Sequence, residues 1–485
     1  MRAEIDVAGV PRTTPGMVEH APAVELPRVR LRLDRFDVAV VVVFAALSVW
    51  VLALDLYQVV ANGQVWTGTD GFYLVDQMQY LAWIREAAHH VLASNLFVLR
   101  PTAVDYFQPA VVISGGLAAL GVAPWLALLL WKPVAVLAAF YGVREYARRS
   151  FEGLWERRTV LVLGLFFGSF TVIYGSFGVL GDLFAAFLSW GYTFGLLALA
   201  VMLFALFAYE RARAKADAGR ALAWAPALLG ALASSLHPWQ GELLILIVVG
   251  TELTLWQGDR RAPRRVKLPV ATVIATAIPL LYYALLGRLD PSWQLARVAS
   301  KHSFSIVTIL LAVAPLLLPA LLAYRRRPHS FLSVVTRVWP ISALVIYLLS
   351  ATDISATPLH AFEGVTIPLS VLAIEGIRSL GPRRLPARRT LAVLAVAAVT
   401  IPATAWELRS AKQLIAPSPG NANFITGDEQ RALQYLAHDG HAGGVLTRFY
   451  LGAVVPAETG RRTFVGDCLW SQPVSYTHLR AHETG

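Results

Sequence analysis

The feature that most constrains this chain is a series of apolar runs, each long enough to cross a membrane as a helix. The first, Val38–Leu54, reads VAVVVVFAALSVWVLAL and contains no charged residue. A helix needs about 20 mostly apolar residues to cross the roughly 30 Å of hydrocarbon in a bilayer. Similar runs recur as far as Trp406, and the whole chain is 56% hydrophobic and only 15% charged. We therefore predict an all-α polytopic integral membrane protein.

Basic residues gather in short clusters between the apolar runs. After the N-terminal arginines, such clusters lie at 144–158, 211–220, 260–267, 325–337 and 378–389. Short cytoplasmic loops carry the excess of Lys and Arg in membrane proteins, so the clusters predict one membrane face and a cytoplasmic N-terminus. They also account for the net charge of +11, which in a soluble protein would suggest nucleic-acid binding. We predict no nucleic-acid partner, and expect contact with membrane lipids instead.

The alternation of runs and clusters predicts about 11–13 transmembrane helices. One region leaves the number open, because Pro109–Gly121 and Pro124–Val143 are two apolar pieces separated only by GVAP. Two full spans there would put the five arginines of the next cluster outside. A single span would leave one piece re-entrant or interfacial.

The composition divides the chain into four parts. Residues 1–37 are predicted to be a cytoplasmic segment, and 38–406 the transmembrane domain, with a long outer loop at 61–108. Residues 407–473 form a small outer α/β tail, with a helix at Asp428–His438 and a strand at VLTRF, and we expect this tail to be truncated. Residues 474–485, VSYTHLRAHETG, resemble a peptide that arises when sequencing-adapter DNA is translated. We expect them to be non-native; the alternative is an ordinary polar tail.

The outer loop after the first span holds the strongest candidates for chemistry. Asp70 lies in a TDG turn, and Asp76 begins a segment with the pattern of an amphipathic helix that lies in the membrane interface. The two aspartates have alternative structural roles, since Asp76 can cap the helix and Asp70 can stabilise the turn. At the bilayer surface, however, a carboxylate can also serve as general base towards an acceptor hydroxyl.

Several segments resemble the GT-C class of membrane glycosyltransferases. They are the outer loop with its DQMQYLAWIREA helix, FQPAVVISGGLAALG, SLHPWQG, HAFEGVTIPLSVLA and the tail segment HAGGVLTRFYLGAVVPAETGRRTFVGD. The resemblance implies a GT-C-like fold of a cell-envelope enzyme in the bacterial plasma membrane. It also implies transfer of a sugar from a polyprenyl-phosphate donor to an unknown acceptor at the outer face.

The resemblance further implies roles for particular residues. The acidic pair of this class is adjacent or one residue apart, whereas Asp70 and Asp76 are six apart, so either one is a candidate base. We favour Asp76 because its helix matches the class better. Cations at the outer face are expected to bind the donor phosphate. The candidates for substrate binding are Arg288, Arg297, Lys301 and His302 in one outer loop, with His237 and His360 in two others.

Each of these assignments has a structural alternative. The basic residues of the outer loop at 288–305 can instead bind lipid headgroups or pair with Asp290, and a lone histidine such as His237 is often a satisfied structural residue. Asp182, and His360 with Glu363, are also expected on the outer side, either lining a cavity shared with Asp76 or without a chemical role.

Other chemistries have little support in the sequence. There is no Walker A, HExxH or GxSxG motif. The single cysteine, Cys468, excludes a cysteine-based metal site, and the consecutive His89 and His90 point apart on a helix. We predict no cofactor and no metal ligands, and leave a divalent metal ion open. Two other functions also stay open: a transporter or flippase, for which Lys132 in LLLWKPVAV is the one clear charge inside an apolar run, and a non-catalytic cell-envelope scaffold.

Overall fold

In the computed structural model, the described residues are 32–70, 74–169, 183–214, 220–258, 266–294, 305–350, 358–379 and 421–466, with six further residues between 398 and 417. Several predictions lie outside them. These concern residues 1–31, Asp182, Arg297, Lys301, His302, most of Thr390–Trp406 and residues 474–485.

Helices make up most of the described chain. In chain order they are α1 (Arg35–Asn62), α2 (Leu74–His90), α3 (Pro109–Ala119), α4 (Pro124–Leu129), α5 (Trp131–Ser150), α6 (Leu154–Phe166), α7 (Ala185–Leu188), α8 (Thr193–Ala214), α9 (Arg220–Leu236), α10 (Pro238–Gly258), α11 (Lys267–Leu289), α12 (Ile306–Ala312), α13 (Ala314–Ala323), α14 (Phe331–Ser350), α15 (Thr366–Ser379), α16 (Gly427–His438) and α17 (Phe449–Thr459). A 3-10 helix covers Pro358–Phe362, and two short strands are β1 (Val65–Trp66) and β2 (Phe424–Ile425).

Six of the described helical segments are long and apolar enough to cross a membrane. They are α1, the stretch Pro124–Ser150 formed by α4 and α5, α8, α10, α11 and α14. The consecutive helices α12 and α13 add a seventh if the pair, which bends by 85°, is one broken span. The polytopic membrane fold is therefore confirmed. The total of about 11–13 spans stays a prediction, because parts of the predicted runs lie outside the described residues.

The region between Pro109 and Val143 has one long helical crossing and one short helix. α3 has 11 residues and is about 17 Å long, which is too short to span the hydrocarbon. It lies against α2 instead, and Gly115 allows the close approach, since a Cβ there would lie 2.5 Å from the Cβ of Ala87. This packing supports the alternative with a single crossing.

Local sequence sets both ends of α1. Asp34 and Asp37 form a capping box, in which the Asp37 N–H donates to Asp34 Oδ1 at 2.8 Å. At the other end, Gly63 adopts a left-handed conformation with φ of 63° and closes the helix. The chain then turns into β1.

Ion pairs between neighbouring helices collect at one end of the bundle, which we call the arginine end. Arg144 of α5 pairs with Asp37 of α1 at 2.7 Å. Further pairs there are Arg149 with Glu210 (2.6 Å), Arg213 with Glu252 (2.9 Å) and Arg337 with Glu375 (2.7 Å). Arginines from the predicted basic clusters at 144–158, 211–220 and 325–337 thus come together on one side of the bundle.

The opposite end, which we call the loop end, carries the long loop after α1 and the C-terminal tail. β1 and β2 pair antiparallel, with Val65 opposite Ile425 and Trp66 opposite Phe424. The helix predicted at Asp428–His438 is present as α16, with its own capping box at Thr426. The predicted strand VLTRF is reduced to an isolated bridge between Val445 and Thr463, because α17 begins at Phe449 and packs on α2.

Candidate functional site

Asp70 lies in a buried network rather than in an open turn. It is 1% exposed and forms an ion pair with Lys132 in the first turn of α5. Lys132 Nζ also donates to the Ser48 carbonyl of α1 at 2.5 Å. A buried carboxylate needs such a partner, because desolvation of an unpaired charge is very costly. Lys132, the charge inside an apolar run, is therefore one half of a pair that joins the loop to two helices.

Gln77 on α2 holds the backbone around Asp70. Its side-chain carbonyl accepts from the Asp70 N–H at 2.6 Å, and its amide donates to the Asp70 carbonyl at 2.6 Å. The same amide lies 3.2 Å from the carbonyl of Gly191, just before α8. These bonds fix where Asp70 sits relative to α2 and α8.

The C-terminal tail completes the Asp70 network. Asn423, next to β2, donates to Asp55 Oδ1 of α1 at 2.8 Å and accepts from the Thr69 hydroxyl. All three side chains are buried. One asparagine thus ties the first helix, the loop residue before Asp70 and the tail together.

Asp76 has a different setting, six residues further on. It lies half-buried in the first turn of α2. Among the described residues, nothing forms a hydrogen bond or an ion pair with its carboxylate. Burial raises the pKa of Asp76 to about 6. A carboxylate with that pKa is largely ionised at neutral pH and still basic enough to accept a proton.

A second polar cluster, the His-Glu cluster, consists of His237, His360 and Glu363. His360 Nδ1 lies 2.7 Å from Glu363 Oε1, and His237 Nδ1 lies 3.5 Å from Glu363 Oε2. Gln240 donates to Glu363 Oε2 at 2.7 Å, and the Tyr192 hydroxyl lies 2.8 Å from His237 Nε2. Burial is the main cause that raises the pKa of Glu363 to about 7 and lowers the pKa of His237.

The two networks share one wall of the site. Gly191 and Thr193 line a narrow cavity with Asp70 and Gln77, while Tyr192, between them in sequence, reaches His237. Burial raises the pKa of Tyr80, and the negative charges of Asp76 and Glu363 act in the same direction. Both carboxylates therefore lie close enough to influence one hydroxyl on α2.

Aromatic rings cover the far side of α2. Tyr106 stacks on Trp293 with ring centroids 4.8 Å apart, and Trp83 lies 4.2 Å from the Tyr106 ring. The Tyr283 hydroxyl donates to the carbonyls of Phe107 at 3.0 Å and Ser235 at 2.8 Å. This aromatic wall fixes α2 against α11 and the loop before α3.

The structure brings together only part of the predicted site. Asp70, Asp76, His237 and His360 all lie at the loop end around α2 and α8. Arg288 is exposed in the last turn of α11, where its carbonyl accepts from Gln294 at 3.1 Å. The other three candidates of that loop, Arg297, Lys301 and His302, lie outside the described residues.

Sequence reasoning missed Asp55, Gln77, Tyr192, Gln240 and Asn423. Asp55 carried a usable signal, since an ionisable residue inside an apolar helix is rare and usually functional. The others carried none, because an amide, a phenol or an asparagine in a polar loop is unremarkable until its distant partners are known.

No protein-family model matches this sequence, and no curated protein matches it. Among solved structures, the chain is similar to the oligosaccharyltransferase of Archaeoglobus fulgidus in its apo form, with 14% identity and a TM-score of 0.53 over 89% of this chain and 64% of that one. It is likewise similar to the Archaeoglobus fulgidus oligosaccharyltransferase AglB in complex with an inhibitory peptide and a dolichol-phosphate. There the identity is 13% and the TM-score 0.52, over 90% of this chain and 65% of that one.

The chain thus spans just under two thirds of the length of these two oligosaccharyltransferase chains. At such low identity the likeness concerns the fold. Both neighbours are polytopic membrane enzymes of the class that the sequence motifs resemble. The chain therefore has the fold of GT-C membrane glycosyltransferases.

Proposed function

We propose that this protein is a membrane glycosyltransferase that moves a sugar from a polyprenyl-phosphate donor to an acceptor hydroxyl at the extracytoplasmic face of the bacterial plasma membrane. The observation that carries the proposal is the setting of Asp76. It is a half-buried carboxylate with a pKa of about 6, and no described residue pairs with it. It lies at the loop end of a GT-C fold, where its charge and that of Glu363 both act on Tyr80.

The chemistry assigned to Asp76 is that of a general base. Its carboxylate takes the proton of the acceptor hydroxyl as the acceptor oxygen bonds to the anomeric carbon of the sugar. The bond from that carbon to the phosphate oxygen breaks, and the polyprenyl phosphate leaves with the electron pair. One direct displacement of this kind inverts the anomeric centre.

Asp70 has a positioning role in this proposal. Its ion pair with Lys132 neutralises the carboxylate charge, and Gln77 fixes its backbone. Both keep the loop in place beside the start of α2. The phosphate of the donor is assigned to Arg288 at the end of α11 and to Arg297, Lys301 and His302, which follow it in the sequence. It is also assigned to His360 at the edge of the His-Glu cluster. His237 supports His360 from inside the cluster. The transfer itself calls for no organic cofactor.

The first experiment compares sugar transfer by the reconstituted native protein with transfer by Asp76→Asn, using polyprenyl-phosphate sugars as donors. Loss of a general base lowers the rate about 10²–10⁴-fold, so we expect kcat to fall in that range for Asp76→Asn. Asp428→Asn is the matched control, because Asp428 lies 85% exposed on the tail helix α16.

The variant Asp70→Asn tests whether the two aspartates have different roles. We expect it to lower the thermal unfolding temperature, because it leaves the buried Lys132 without its counter-charge. Asp76→Asn breaks no described contact and is expected to unfold no earlier than the native protein. Full transfer activity in a well-folded Asp76→Asn protein would overturn the role of Asp76.

A second candidate function is transport of a lipid-linked or polar solute, which the buried ionisable groups favour. Asp55, Asp70 and Lys132 are each at most 4% exposed, and buried charges of this kind mark solute pathways in transporters. The same proteoliposomes decide between the two. Movement of the donor across the bilayer without formation of a glycosylated product would support transport and contradict the transferase.

A further inference from the structure

Glu363 lies in an unusual place for a carboxylate. It is 0% exposed, and no lysine or arginine among the described residues pairs with it. Its partners are two imidazoles and the Gln240 amide. Buried carboxylates are normally paired with a cation or bound to a metal ion, because burial of an uncompensated charge is very costly.

The two histidines approach Glu363 from different elements. His360 and Glu363 are three residues apart at the 3-10 helix Pro358–Phe362, where side chains at that spacing lie on the same side. The Glu363 N–H bonds to the His360 carbonyl at 3.2 Å, which holds that turn closed. His237 comes from the turn between α9 and α10. The side chains of His237, His360 and Glu363 are therefore brought together by the fold and not by one local motif.

The distances within the His-Glu cluster suit a metal ion. The potential ligand atoms of His237, His360 and Glu363 all lie within 4.8 Å of one another. Around a tetrahedral zinc ion, with bonds of about 2.0–2.1 Å, neighbouring ligand atoms are about 3.3 Å apart. The separations of 3.5 Å and 2.7 Å between the ring nitrogens and the carboxylate oxygens bracket that value.

The surrounding groups are those expected around metal ligands. Metal-bound histidines usually donate their other ring N–H to an oxygen, and metal-bound carboxylates accept a hydrogen bond. His237 Nδ1 lies against the side-chain carbonyl of Gln240, and the metal ion would replace this contact. The other ring nitrogen, Nε2, stays directed at the Tyr192 hydroxyl, 2.8 Å away. Gln240 donates to the Glu363 carboxylate. The rings of Tyr192 and Trp239 lie against His360, with centroids 5.9 and 4.6 Å apart, and fix its orientation.

We propose that His237, His360 and Glu363 bind one transition-metal dication of the zinc type. Two imidazoles and one carboxylate are a ligand set typical of zinc sites that keep a fourth position open. His360, whose side chain is 15% exposed, lies on the side from which a further oxygen ligand would enter. The site involves neither Asp70 nor Asp76. A metal ion there would meet the donor phosphate in place of the His360 imidazole, but the metal site itself does not rest on the proposed transferase function.

The test measures metal content directly. The full-length protein is purified in detergent through a tag without histidines, stripped with a chelator, and dialysed against zinc or cobalt. We expect about one metal ion per chain by mass spectrometry, and intense visible absorption of the cobalt form from a tetrahedral site. Glu363→Gln and His360→Ala are each expected to lower the affinity at least 10-fold.

Two matched controls keep the result interpretable. His89→Ala removes an exposed histidine of α2, and Asp76→Asn removes the proposed base; both should bind the metal ion like the native protein. Glu363→Gln keeps the shape of the side chain, and its thermal unfolding temperature shows whether the variant is folded. Native protein without stoichiometric metal, or equal affinity in Glu363→Gln and His89→Ala, would overturn the site. Failure of sugar transfer by a zinc-loaded protein would count only against the proposed function.

Discussion

Asp70 and Asp76 lie in the same loop region but in opposite electrostatic settings. Burial raises the pKa of both carboxyl groups, but Asp70 faces the Lys132 ammonium, which acts against that rise, whereas Asp76 has no described cation beside it. Two carboxylates with such different surroundings cannot share one role. The paired aspartate suits a structural task, and the unpaired one suits proton transfer.

The pH dependence of transfer follows from the Asp76 carboxylate. Its pKa of about 6 lies above the ordinary value of 3.8, so the base is ionised above pH 6 and protonated below it. We expect kcat to fall about 10-fold for each pH unit below 6, because only the ionised form accepts a proton. A pH profile of single-turnover transfer checks this. The residual activity of Asp76→Asn should not show this fall below pH 6. An equal fall in the variant would contradict the assignment of Asp76 as the base.

At the scale of helices, the short helix α3 matters because it holds α2, which carries Asp76, in place. Gly115 is where the two helices meet, and the neighbouring Gly116 faces open space. A side chain at position 115 would have to push α3 away from Ala87, whereas one at 116 meets nothing within 4 Å.

This difference gives a paired test of adjacent residues. We expect Gly115→Ala to destabilise the protein by about 1–3 kcal/mol through overpacking and to reduce transfer. Gly116→Ala should leave the stability unchanged or slightly higher, since alanine favours a helix by about 1 kcal/mol over glycine. Chemical unfolding in detergent, followed by the helical signal, measures both. Equal effects of the two substitutions would show that α3 does not support α2 through Gly115.

At the scale of the whole molecule, the two ends of the bundle differ in charge. The arginine end holds the interhelical ion pairs, and the loop end holds the carboxylates, histidines and aromatic rings of the site. By the positive-inside rule, we expect the arginine end to face the cytoplasm. The proposed transfer then takes place on the outer side.

Cysteine labelling in a bacterial host tests this orientation. With Cys468 replaced by serine, single cysteines are introduced by Asp428→Cys on α16 and by Arg326→Cys, which lies exposed between α13 and α14. A membrane-impermeant maleimide should label position 428 in intact cells, and position 326 only after permeabilisation. The reverse pattern would place the site in the cytoplasm and contradict the proposed donor access.

The sequence predicted the membrane class, the GT-C fold and the arginine clusters, because these depend on local composition and short motifs. It also placed Asp70, Asp76, His237 and His360 on one side of the membrane. It left the crossing between Pro109 and Val143 open, since that depends on whether α3 packs on α2. The pairing of Lys132 with Asp70, and of Asn423 with Asp55, joins residues far apart in the chain and has no local pattern.

The hydrogen bond from Asn423 to Asp55 joins residues 368 positions apart. Chains are synthesised from the N-terminus, so α1 and the loop with Asp70 are made long before Asn423. The strand β1 pairs with Phe424 and Ile425, so this pairing forms only after they have been synthesised. The transmembrane helices can therefore be inserted one after another as they are synthesised. The loop beside Asp70 can be held in its final position only once the tail has been synthesised. A ribosome that stalls before residue 423 would leave behind an inserted bundle with an unfinished loop end.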